Sequence, residues 1–141
     1  MRIMAIDYGD AHTGIAISDP TGLLAGFTTV INAYRPDRVT EQIALRAKEH
    51  RVERLVLGHP INMDGTRGPR SEKAQAMRQL LEETTGLPVV LWDERRTTID
   101  AHQILMSSGK NAKKRKKVVD AVAASLILEG YLTYLKTHPE G

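Results

Sequence analysis

Cysteine is absent from the 141 residues, so neither a disulfide framework nor a thiolate metal centre can be built. No apolar run approaches the ~18 residues a spanning helix needs, and no long apolar stretch of the secretory type follows Met1. These absences predict a cytoplasmic protein without membrane association. Neither sign of charge dominates: 20 Lys and Arg face 17 Asp and Glu, for a net charge of +3. That balance permits a polyanionic partner without arguing strongly for one. The hydrophobic share, 41%, is ordinary and gives no sign of disorder. The length predicts one domain, 1–141, with enough chain for a proper core.

What is present is organised around residues 1–19. Ile3, Met4, Ala5 and Ile6 form a short apolar run that can be buried on both faces. It stops at Asp7, and Gly9 follows. A second apolar stretch, GIAIS at 14–18, predicts a β-hairpin with an acid at the end of its first strand. A carboxylate there is held by a rigid element at the rim of a sheet, where a metal or phosphate site can be built. The plainer alternative is an aspartate that only shapes the turn.

Along the chain, 23–31 (LLAGFTTVI) is rich in β-formers and predicts a third strand. Asp37 is the expected N-cap of a helix running to about His50, with Val39, Ile43, Ala44 and Ala47 at helical spacing. Residues 54–58 (RLVLG) read as a strand. Strand, helix and strand in succession imply a crossover and a parallel pair. The segment 59–69 (HPINMDGTRGP) is a loop, and a helix is expected over 71–85, ended by Gly86. Another strand, 88–92 (PVVLW), leads into Asp93 and Glu94. A helix from Thr98 to about Ser108, a loop to Ala112, and a long helix from Lys114 to about Leu135 complete the chain. Val119, Val122, Ala123 and Leu126 of that last helix are expected to face the sheet. The fold class is α/β: a mixed five-stranded sheet, an antiparallel meander plus two parallel strands, with helices on its faces.

Two strands therefore end in acids, Asp7 and the Asp93–Glu94 pair, and parallel alignment puts both ends on one edge. A third acid, Asp120, stands among apolar neighbours (VVDAVAA). A lone acid in such a stretch is costly unless compensated, and a divalent metal shared with Asp7 and Glu94 would compensate it. The alternative is a salt bridge to Arg95 or Lys116. Carboxylates without His or Cys suit Mg2+ or Mn2+. Two such ions ~4 Å apart would support phosphodiester cleavage.

IDYG with GIAISD, then GHPINMDGTRGPR, then WDERRTT, then KKRKKVVDAVAASLILEGYL resemble, in that order, the motifs of the YqgF family. These are bacterial ribonuclease H-like proteins described as Holliday junction resolvases and as nucleases maturing the precursor of small-subunit ribosomal RNA. The resemblance covers nearly the whole chain. It implies a ribonuclease H-like fold and a catalytic, metal-binding triad at Asp7, Glu94 and Asp120. One stretch departs from the pattern: many relatives carry a hydroxyl residue and then a lysine shortly after the first glycine, where this chain has Asp10, Ala11 and His12.

The segment 110–117 holds six basic residues in eight. It is too concentrated for an ordinary solvated face, and it immediately precedes Asp120. Lys113, Lys114, Arg115, Lys116 and Lys117 are therefore expected to bind nucleic acid, as are Arg70, Arg95 and Arg96. His59 is a weaker candidate for phosphate contact. With one Trp and one Phe, base stacking is a poor candidate for recognition, and backbone and shape contacts are expected instead. The expected partners are structured RNA and branched DNA. Junction cutting would suit a two-fold homodimer. Two other classes fit less well: a non-catalytic nucleic-acid-binding protein, and an ATP-using phosphotransferase of the sugar-kinase and actin type. The latter needs a second lobe for which the chain is too short.

Overall fold

In the computed structural model, residues 1–19, 25–59, 68–93 and 112–138 are described, with backbone alone at 25 and over 112–121. The strands are β1 (Ile3–Asp7), β2 (His12–Ser18), β3 (Ala25–Asn32), β4 (Arg54–His59) and β5 (Val89–Asp93). The helices are α1 (Pro36–Glu49), α2 (Pro69–Thr85) and α3 (Ala112–Thr137). The strands form one mixed sheet in the order β3-β2-β1-β4-β5. β2 is antiparallel to β1 and β3, while β4 is parallel to β1 and β5. This is the expected meander plus two parallel strands. Among the described residues no helix is long and apolar enough to cross a membrane.

The two faces of the sheet carry separate cores, and the alternation of side chains along each strand assigns every residue to one of them. Met4, Ile6, Ile15, Ile17, Leu55 and Leu57 pack with Val39, Ile43, Met77 and Leu81 of α1 and α2. Ile3, Ala5, Ala16, Val56 and Trp92 pack with Ala124, Ile127, Leu128 and Tyr131 of α3. β1 is the middle strand, and its first four residues are buried.

Both well-described helix starts lie earlier than expected. The N-cap of α1 is Arg35, with Pro36 in the first turn, and Asp37 pairs with Arg35 at 3.0 Å instead of capping. α2 begins at Pro69 with Gly68 as its N-cap, two residues before Ser71. The physical reason is the same in both. Proline lacks an N–H where none is needed, and its fixed φ suits the first helical position, so it starts these helices rather than delaying them. At the other end of α2, Gly86 takes the left-handed conformation, φ 71°, as expected of a terminating glycine. The helix expected from Thr98 to Ser108 lies outside the described residues.

The stripe of α3 that faces the sheet also differs from expectation. Ala124, Ile127, Leu128 and Tyr131 form it and Ala123 is buried as expected, whereas Val122 and Leu126 are only half-buried on its flank. Ala5 and Ala16 of the sheet meet Ala124 of the helix in one cluster. Small residues on both sides let the helix approach closely, so burial follows position rather than side-chain size.

Candidate active site

Asp7 is the last residue of the middle strand and is half-buried. Ile3 and Ala5 belong to the α3 face, so alternation directs Asp7 to that face too. Its partner on β2 is Gly14. Continuing the β1–β4 register one residue past Ile6 and Leu57 brings Gly58 beside it on the other side. Cross-strand partners share a face with their Cβ atoms ~5 Å apart, so with glycine at both positions no side chain flanks the carboxylate from either neighbouring strand, although both glycines are themselves buried. The row is bounded further out by Trp92, the partner of Gly58.

The turn after Asp7 is tightly constrained. A Cβ at Gly9 would collide with the carbonyl oxygen of His12, so only glycine closes the turn there. His12 Nδ1 pairs with Asn32 Oδ1 at 2.7 Å, and Ala33 N donates to Ala11 O at 3.2 Å. Lys73 Nζ of α2 donates to Asp10 Oδ1 at 3.3 Å. The two residues that depart from the family pattern therefore anchor the turn, His12 to the end of β3 and Asp10 to α2.

Position 120 lies on α3, where the backbone alone is described. It stands four residues before Ala124, seven before Ile127 and eleven before Tyr131. At 3.6 residues per turn that is the stripe facing the sheet. The sequence placed it beside the buried stripe, and the stripe of Ala124, Ile127 and Tyr131, continued backwards at helical spacing, reaches position 120. Asp7 and position 120 thus belong to the same face of the sheet. Glu94 lies outside the described residues. Asp93 is on β5 opposite His59, and alternation puts it on the α1–α2 face, away from Asp7. Among the described residues no three His, Asp or Glu side chains are grouped to hold a metal. Of the proposed triad, only the Asp7 side chain is among them.

Of the expected nucleic-acid contacts, Arg70 is exposed in the first turn of α2. That turn is fixed to the sheet by the buried pair His59 Nε2 and Ser71 Oγ, 2.6 Å apart. His59 is therefore an internal anchor for α2 rather than a surface group: it is 6% exposed. Lys113, Lys114, Arg115, Lys116 and Lys117 lie in the first two turns of α3, in helical rather than loop backbone. Arg95 and Arg96 lie outside the described residues. Sequence reasoning missed Lys73. It lies one turn beyond Arg70 on α2, a spacing that signals a shared helix face.

A family model described as RuvX, Holliday junction resolvase, matches residues 1–134. A protein of Halothermothrix orenii named "Putative pre-16S rRNA nuclease" is 44% identical over 134 residues, 95% of this chain and 96% of that one. The Bacillus subtilis protein of the same name is 43% identical over 137 residues, 96% of this chain and 99% of that one. Among solved structures, Thermus thermophilus RuvC in complex with a Holliday junction substrate superposes with a TM-score of 0.62 at 14% identity, covering 97% of this chain and 98% of that one. The fowlpox virus resolvase bound to Holliday junction DNA gives 0.54 at 10% identity, covering 98% and 99%. At these identities the structural likeness concerns the fold.

Proposed function

The chain belongs to the RuvX family of Holliday junction resolvases, and from that premise we propose that it is a metal-dependent nuclease acting on structured nucleic acid. The substrates proposed are the precursor of 16S ribosomal RNA and four-way DNA junctions, with Asp7, Glu94 and Asp120 as the catalytic carboxylates. The observation that carries this reading is the setting of Asp7. It ends the middle strand, is flanked by two glycines, and faces the helix that bears position 120. A carboxylate needed only to shape a turn has no use for two side-chain-free neighbours at the end of a central strand.

The donor set fits a hard divalent cation, since Asp7 offers carboxylate oxygen in a half-buried setting and the chain has no thiolate. Asp7, Glu94 and Asp120 would hold Mg2+ or Mn2+, which when bound acidifies a water and offsets charge on the cleaved phosphate. Tyr131 is tied to Arg54 at the opening of β4. The eleven residues back to Asp120 cover ~16 Å of helix, and the four steps from Ile3 to Asp7 cover ~13 Å of strand. These matching lengths support a meeting of Asp120 with Asp7 at the carboxyl ends of the strands. Arg70, Arg95, Arg96 and the basic opening of α3 hold backbone phosphates on either side. A two-fold dimer would present two such sites to a four-way junction, and the site of action is the cytoplasm. The phosphotransferase alternative needs a second lobe, and the described strands form one sheet.

Cleavage of a 16S precursor fragment and of a four-way junction, with Mg2+ or Mn2+ and beside Asp7→Asn, tests the reading. Metal-dependent cutting that Asp7→Asn abolishes is expected. Tight binding without cutting of either substrate would favour the binding-protein alternative.

A further inference from the structure

On the far side of the Asp7 turn lies a pocket of about 370 Å3 that the proposed chemistry leaves unused. Tyr8, Tyr34 and Lys73 stand around it, with Met77 and Leu80 of α2 as its apolar lining. Tyr8 directly follows Asp7, so pocket and carboxylate share one edge of the sheet but open on opposite faces. Tyr34 is 81% exposed. Among the described residues no ring stacks on it, unlike Trp92, Tyr131 and Tyr134, which pack on one another.

An apolar lining, a free-standing phenol ring at Tyr34, a second tyrosine at Tyr8 and a lysine at the rim together match a flat heteroaromatic ring joined to an anion. We propose that this pocket receives one unpaired base of the nucleic-acid strand whose scissile phosphate lies at Asp7, with the Tyr34 ring stacked on that base and Lys73 at its phosphate. The inference rests on the nuclease reading for the location of the scissile phosphate. It revises the expectation that bases are not stacked: the number of aromatics is low, but one stands at the pocket mouth. Asp10 also lines the pocket, 3.3 Å from Lys73, and its charge is offset in part by that lysine. Stacking of one base on one ring is sequence-tolerant, which suits an enzyme that recognises a branched or processed shape.

The test uses the full-length Asp7→Asn protein, which retains the substrate, and junction or precursor strands carrying 2-aminopurine at successive unpaired positions near the cut. The expected result is quenching at one position, lost in Tyr34→Ala and kept in Tyr34→Phe, with binding of the unpaired-base substrate roughly tenfold or more weaker in Tyr34→Ala. Lys73→Gln should weaken binding and lower its salt dependence by about one phosphate contact. Unchanged quenching and affinity in Tyr34→Ala would overturn the pocket assignment. Equal competition by free adenosine monophosphate at the concentration of strand would overturn it in favour of a mononucleotide site. Loss of cleavage by the wild-type protein, with Tyr34-dependent quenching intact, would instead count against the nuclease reading and leave the base pocket standing.

Discussion

Arg54 Nη1 donates to the Tyr131 hydroxyl at 2.8 Å, joining the first residue of β4 to the C-terminal half of α3 across 77 residues of sequence. Tyr131 is buried and meets Trp92 edge-on, 5.9 Å between ring centroids. The hydrogen bond fixes where α3 sits lengthwise on the sheet, and the ring packing fixes how closely it sits. Tyr131→Phe keeps the ring and is expected to cost ~1–3 kcal/mol, as for a bond to a charged group. Tyr131→Ala should cost ~3–5 kcal/mol through the cavity it leaves. Urea unfolding of the two variants checks the order. Equal losses would mean that the hydroxyl carries the whole effect.

Asp7→Asn is expected to abolish cleavage while leaving the melting temperature close to wild type, because a neutral amide cannot replace a charged metal ligand. Glu94→Gln should behave in the same way. Asp93→Asn should stay active, since that residue lies on the face of the sheet opposite Asp7. A rate assay on all three variants decides the matter. An inactive Asp93→Asn beside an active Glu94→Gln would reverse the assignment within that pair.

For Asp120 the prediction concerns stability. Three carboxylates brought together without metal repel one another. Asp120→Asn should then raise the melting temperature in EDTA, or leave it unchanged, and reduce the stabilisation given by Mn2+. A buried ion pair behaves oppositely, since removing one partner costs ~3–5 kcal/mol with or without metal. Thermal melts in EDTA and in Mn2+ separate the two. A large loss in EDTA with undiminished Mn2+ stabilisation would remove Asp120 from the site.

Neutralising Lys113, Lys114, Arg115, Lys116 and Lys117 together should weaken nucleic-acid binding and flatten its dependence on salt. Each lost phosphate contact lowers the log–log slope by roughly 0.7–0.9. Titrations at several salt concentrations measure it. A slope equal to wild type would mean that this part of α3 only solubilises the chain.

The sheet was legible in the sequence because each strand is a compact apolar run, and because the strand–helix–strand order forces parallel pairing of β1 with β4 and of β4 with β5. Asp7 was legible for the same reason: the run ends at it. The helix starts were misread because proline was taken to break structure where it opens a helix. The stripe of α3 was displaced because Val122 and Leu126 are larger than Ala124, yet it is alanine that meets Ala5 and Ala16 where the helix comes nearest the sheet. The contact of Asp10 with Lys73 joins residues 63 apart, and no local pattern announces it. Tyr34 follows a strand as an ordinary loop residue, and its role depends on α2 lying beside it.

The order in which the chain is made adds one consequence of covering the Asp7 face with α3. Every strand leaves the ribosome before that helix does. Until α3 docks, Ile3, Ala5, Ala16, Val56 and Trp92 lie bare on one side of the sheet, a surface prone to self-association. Asp7 meanwhile lacks the helix that carries Asp120. A growing chain therefore presents an adhesive apolar sheet face until α3 has been made and docked.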